Sequence, residues 1–125
     1  AMTARPQYPP RFKALLAGLN ERAERGDVPG AQGAFEEARR ACAAVGQGGL
    51  PRVLWNTLLK AHANAGDVAG ADSVFQEMAR QGVAPNGRTY GKLVESAAKA
   101  GSREWGEHWL LLLGNGMDGL AFKDV

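Results

Sequence analysis

Apolar residues return every three to four positions through most of this chain, and glycines, prolines and short polar runs interrupt them at regular distances. Leu58, Leu59 and His62 keep that spacing in one segment, and Val68, Ala71, Asp72, Phe75, Met78 and Ala79 keep it in the next. Both are the pattern of an amphipathic helix. The punctuation predicts helices at 11–25, 30–45, 52–65, 69–81, 87–100 and 103–113. Tyr8-Pro9-Pro10 is extended, because proline disfavours helix in the residue ahead of it and lets one begin just after. Gly82, with Pro85 three residues on, closes the fourth helix. Asp27 and Asp67, each between a glycine and a valine, are read as caps of the second and fourth helices. After Leu113 the run GNGMDGLAFKDV, with three glycines and no period, predicts a loop or frayed end.

The segments repeat. Trp55-Asn56-Thr57-Leu58-Leu59 aligns with Tyr90-Gly91-Lys92-Leu93-Val94 and Gly66 with Gly101, a period of 35 residues. Backwards, Gly26-Asp27-Val28 aligns with Gly66-Asp67-Val68 and Phe35 with Phe75, an offset of 40 whose surplus lies around Arg39 to Pro51. Forwards, Gly106, Leu110 and Leu113 stand where Ala71, Phe75 and Met78 stand. A fixed period of this size predicts an all-α fold, an α-α superhelix or helical-repeat solenoid of antiparallel helix hairpins, with each unit stacking on its neighbours. The whole chain, 1–125, is read as one repeat domain with units at about 11–51, 52–86 and 87–121, and it can be a piece of a longer array. Small Ala71 and Gly106 are expected where the helices of a unit cross, with Phe75 and Leu110 filling the space beside them, and Phe75 and Leu58 buried inside the middle unit.

An aromatic followed by Asn56, a leucine pair, Ala65-Gly66, then Ala71, Phe75, Met78, Gly82 and Pro85-Asn86, resembles the pentatricopeptide repeat (PPR) family, and the unit from Arg52 to Asn86 resembles it most. The resemblance implies single-stranded RNA binding in organellar RNA processing or stability, in a mitochondrion or chloroplast. It also implies that the first helix of each unit lines a concave surface. There the residue after the aromatic and the last residue of the unit, Asn56 and Asn86, would read one base, with Val53 wedged between successive bases. By the same resemblance an Asn/Asn pair favours a pyrimidine. The chemistry is sound, since an Asn amide carries both donors and an acceptor for a base edge. Two plainer readings stand beside it: Asn56 suits a helix N-terminus, and Pro85-Asn86-Gly87 is ordinary turn chemistry. The neighbouring units depart from the pattern, with Gly91 in the reading position and Arg88 in the wedge position of the third, and Leu16 and Pro51 as the pair of the first. One competent unit discriminates by ~1–3 kcal/mol, the scale of a single bidentate base contact, and cannot specify a target by itself.

Charge adds a separate clue. The formal net charge of +2 hides an asymmetry, because the first helices of the units carry nine basic and three acidic residues while the remainder is net negative. Lys60, Lys92, Lys99 and Arg88 are the candidate phosphate contacts. The narrower stripe four and eight residues past each reading position, Asn20, Glu24, Lys60, Asn64, Glu95 and Lys99, balances to zero, so binding is expected to be weak and salt-sensitive. A second class of function competes: a helical-repeat scaffold for a protein partner, docking at Trp105, Trp109 and Phe122, although tryptophans at i, i+4 spacing also suit a core.

The rest of the composition narrows the field. Apolar residues make up 45% of the chain, enough for a core. The longest apolar run, Trp109 to Leu113, is far short of the roughly 18 residues a membrane span needs, so no membrane is expected. Cys42 is the single cysteine, which excludes an intramolecular disulfide and suits a reducing compartment. No targeting peptide is visible at the N-terminus. His62 and His108 lack cysteine or carboxylate partners at metal-ligand spacing, and His62 is read as packed or groove-lining. Gly46, Gly48 and Gly49 precede no Lys-Ser/Thr. No enzyme activity, cofactor or metal is expected.

Overall fold

The computed structural model describes residues 8–117, and all of its regular structure there is helical. The helices are α1 (Phe12–Glu24), α2 (Val28–Ala44), α3 (Arg52–Ala65), α4 (Val68–Arg80), α5 (Gly87–Ala100) and α6 (Arg103–Met117). They pair as α1 with α2, α3 with α4 and α5 with α6, while the first helices pack in a row, α1 on α3 and α3 on α5. The second helices pack forward, α2 on α3 and α4 on α5. This is the helical-repeat solenoid the period predicts.

Three turns of the same construction set the hairpins. Gly26, Gly66 and Gly101 have φ of 67°, 66° and 69°, the left-handed region that a side chain would strain. At the second, Gly66 N–H donates to Ala63 C=O at 3.1 Å and Asp67 N–H to His62 C=O at 2.9 Å; Gly26 and Asp27 make the same pair of bonds to Ala23 and Arg22, and Gly101 and Ser102 to Ala98 and Ala97. These are Schellman closures, which satisfy the last carbonyls of a helix and turn the chain back. The caps read from Asp27 and Asp67 form: each carboxylate accepts from the backbone N–H three residues on, Gly30 and Gly70, at 3.0 Å.

The core runs along the stack. α3 is its axis, with Leu54, Trp55, Leu58, Leu59 and Ala61 buried and Leu19, Ala31, Ala38, Met78 and Leu93 closing on it from the other helices, while Trp109 is buried against Phe75 at the far end of the stack. Ala71 is fully buried at the α3–α4 crossing. His62 is packed, 1% exposed, with Nδ1 2.9 Å from Asp67 Oδ2. Hydrogen bonding from Gly70 N–H is the main reason the Asp67 carboxyl sits below its ordinary value; burial opposes this and His62 assists it. Cys42 is buried, and desolvation pushes its thiol up.

Four expectations are corrected. Phe75 is half-buried and lies at a joint between units, its ring 5.7 Å from Tyr90 and 5.3 Å from Trp109; Leu58 is buried as expected. Leu110 does not fill the space beside Gly106 but stands 54% exposed, because Trp109, one position earlier and fully buried, takes the inward direction and stacks on Trp105 at 5.3 Å. The buried indole of Trp109 also cannot face a protein partner. Finally, α6 runs on to Met117 rather than stopping at Leu113. Once a helix is established each added residue gains a hydrogen bond, and a glycine costs only about 1 kcal/mol, too little to end it. Phe122 lies outside the described residues.

Candidate nucleic-acid interface

Because the three first helices lie side by side, their outer faces form one trough. α1 contributes Lys13, Leu16 and Asn20; α3 contributes Arg52, Val53, Asn56 and Lys60; Asn86 and α5 contribute Arg88, Gly91, Lys92 and Glu95. The cavity measures about 920 Å³ and carries five cations against one carboxylate. A trough of like-signed charges with apolar walls focuses potential toward an anion, and phosphate is the anion a strand presents.

Six of the seven residues singled out from the sequence meet here: Val53, Asn56, Asn86, Lys60, Arg88 and Lys92. Lys99 does not. It is exposed beside the α3–α4 turn, where a Cβ on Gly66 would lie 3.2 Å from its Cγ. The electrically neutral stripe is only half inside the trough, because Glu24 and Asn64 also fall outside its lining. Asn64 gives its Nδ2 to the Ala23 carbonyl at 2.8 Å, tying the end of α1 to α3. The lining is therefore more basic than the stripe alone implies. Lys13 and Arg52, which the sequence places only among the basic first helices, belong to it. Lys60 is held 3.0 Å from Asn20 Oδ1 and 3.6 Å from Glu24, and Lys92 3.2 Å from Glu95. Lys13, Arg52 and Arg88 have no carboxylate within salt-bridge range among the described residues.

At the centre stand the two asparagines. Asn56 is one turn inside α3, whose N-cap is Pro51, so it is not a helix-terminal residue. Asn86 is the N-cap of α5, where its Oδ1 accepts from Thr89 N–H at 3.1 Å and Thr89 Oγ1 accepts from Asn86 N–H at 3.0 Å, a reciprocal capping box. Turn chemistry and groove lining thus coexist in Asn86. Packing of α3 against α5 brings Asn56 Nδ2 to 3.2 Å from Asn86 Oδ1 and Asn56 Oδ1 to 2.7 Å from Thr89 Oγ1. Thr89 is the residue that sequence reasoning misses; the Asn-x-x-Thr spacing of a capping box is the signal that could have found it. Val53, 44% exposed on the trough wall, is free to touch a flat ligand. In the flanking positions Gly91 and Leu16 offer no polar side-chain atom.

Elsewhere the chemistry is structural. A second cavity of about 420 Å³ between α2 and α4 holds His62, Asp67, Trp55 and Arg39, whose guanidinium lies 5.3 Å from the Phe35 ring centre and 5.7 Å from that of Trp55. Among the described residues no group of three or more metal-ligating side chains occurs, and no helix is long and apolar enough to cross a membrane.

Compared with curated proteins and with solved structures, the chain gives no match. Compared with protein families, residues 52–99 match the PPR repeat family. The matched stretch is α3, α4 and most of α5, the part of the chain that holds Asn56, Asn86 and the turn between the paired units. Period, hairpin stacking and this match agree: residues 52–99 are similar to the repeats of the PPR family.

Proposed function

We propose that this chain binds single-stranded RNA along the trough formed by α1, α3 and α5, in three repeat units at about 11–51, 52–86 and 87–121. One base is read by Asn56 and Asn86, with Val53 against its face. Phosphates are held by Lys60, Lys92 and Arg88, joined by Lys13 and Arg52. The observation that carries the reading is the meeting of two asparagine amides, half-exposed, in a trough of five cations and one carboxylate. Phosphate contacts position a strand and base contacts specify it, and this trough offers both. The similarity of residues 52–99 to the PPR repeat family supports RNA as the nucleic acid and supports a role in processing or stabilising organellar transcripts, in a mitochondrion or chloroplast. The role is binding rather than catalysis.

Fluorescence anisotropy with labelled pyrimidine and purine 10-mers at two salt concentrations tests this. We expect weak binding that falls steeply with salt and a preference for pyrimidines. Failure to bind at low salt would remove the reading. In that event the scaffold alternative stands, favoured by the exposed Leu110 (54%) and Leu111 (65%) on α6 beside the half-buried Trp105.

A further inference from the structure

The loop of hydrogen bonds around Asn56, Asn86 and Thr89 can be solved for the direction of every amide, starting from one group that cannot reverse. Thr89 N–H is a donor only, so the Asn86 atom 3.1 Å away is the carbonyl oxygen. The Asn56 atom 3.2 Å from that oxygen must then donate, which makes it Nδ2. Asn56 Oδ1 is thereby turned to the Thr89 hydroxyl at 2.7 Å. The hydroxyl accepts from Asn86 N–H at 3.0 Å and gives its single proton to the nearer of two asparagine oxygens, Asn56 Oδ1, the other being Asn86 Oδ1 at 3.0 Å. Flipping either amide would set donor against donor or acceptor against acceptor. Both lone pairs of Asn86 Oδ1 are consumed inside the protein. What remains for a ligand is three N–H donors, two on Asn86 and one on Asn56, against one lone pair.

From this we infer that Thr89, fully buried and out of a base's reach, is a specificity-determining positioning residue that holds both asparagines donor-outward, so that the site takes a base edge of acceptors, such as a pyrimidine O2 carbonyl, and disfavours exocyclic amino groups. The inference rests on the reading of the trough as an RNA site. One unit earlier the position equivalent to Thr89 is Leu54, buried and apolar, and there the pair is Leu16 and Pro51. The lock and the two amides occur together at the same joint.

Anisotropy titrations with uridine, cytidine and adenosine 10-mers on wild type, Thr89→Val and Thr89→Ser test it. Thr89→Val keeps the shape and the backbone N–H that orients Asn86 but removes the hydroxyl that holds Asn56 Oδ1, so it frees the Asn56 amide alone. We expect the pyrimidine-over-adenosine ratio to fall about fivefold or more, the scale of a single base-edge interaction, with affinity for the adenosine strand unchanged. Thr89→Ser restores the hydroxyl and is expected to keep the ratio within about twofold, below the scale of one such interaction. A merely structural role would not separate the two variants in this ratio. An unchanged ratio in Thr89→Val, or the same loss in Thr89→Ser, overturns the inference while leaving the trough as an RNA site; no binding by wild type removes the RNA reading itself. Should Thr89→Val not fold, hydrogen exchange of the side-chain amides by NMR decides on the wild type without RNA. One Asn56 proton is expected to be protected and both Asn86 protons open, and protected Asn86 amide protons would overturn the lock.

Discussion

Asn86 serves stability and recognition with opposite ends of one amide. Its oxygen closes the N-terminus of α5, and its nitrogen is left to the trough. Replacing Asn86 by Ala is therefore expected to move two readouts together, destabilising by about 1 kcal/mol through removal of the cap and erasing the pyrimidine preference. Asn56→Ala, which caps nothing, is expected to erase the preference with less effect on melting temperature. Gly91 offers the opposite case. It lies inside α5, and a Cβ there would meet nothing within 4 Å. Gly91→Ala is expected to raise stability by about 0.5–1 kcal/mol, the ordinary gain from removing a helix-interior glycine, measured by urea titration. A loss of stability would mean that the trough wall is closer than it stands here.

At the scale of the element, the caps and closures do the organising. Gly70 is fixed by the cap it serves, since an added Cβ would fall on Asp67 Oδ2 and His62 Nδ1. Gly70→Ala is thus expected to break the Asp67 cap and the Asp67–His62 contact together, lowering the melting temperature more than Ala substitution at Gly33, where a Cβ meets nothing. The pH dependence has a definite sign. Asp67 is held below its ordinary value, chiefly by Gly70 N–H, so its contribution is present above the unfolded carboxyl pKa of about 3.9 and is lost as pH falls through the folded value. Asp67→Ala is expected to lower the melting temperature at neutral pH, and the gap to wild type should narrow below about pH 4. A gap constant from neutral to strongly acidic pH would show that the carboxylate contributes nothing.

Across the whole molecule, stability resides in joints between neighbouring units. Phe35 meets Trp55 at 4.9 Å at one joint, and Phe75 meets Tyr90 and Trp109 at the next. Phe75 is half-buried, so its truncation to Ala is expected to cost about 2–3 kcal/mol, somewhat under the range for fully buried phenylalanine. In a stack where each unit depends on its neighbours, that loss should appear in the unfolding of both joined units. Charge is likewise a property of the assembled trough. Replacing Arg88 and Lys92 by Gln is expected to weaken all RNA sequences alike and to flatten the logarithmic salt dependence by roughly 0.7 for each phosphate no longer neutralised, the single-strand value. Lys99→Gln, outside the lining, should leave the slope unchanged.

What the sequence determined by itself is what short-range chemistry controls. Glycine at left-handed turns, Asp before a helix and apolar spacing of three to four residues act within a few residues, and they placed six helices, two Asp caps and the 35-residue period. The pairing of Asn56 with Asn86 was legible only through the resemblance to the PPR pattern, since the period by itself sets Asn56 beside Gly91 and Asn86 beside Pro51. The tertiary structure decided the rest, for a physical reason visible at Trp109 and Thr89. Which of two adjacent apolar residues turns inward depends on the volume the neighbouring helix leaves open, so Trp109 is buried and Leu110 exposed. Which end of an amide faces the solvent depends on a donor 33 residues away in the chain, delivered only when α5 packs on α3.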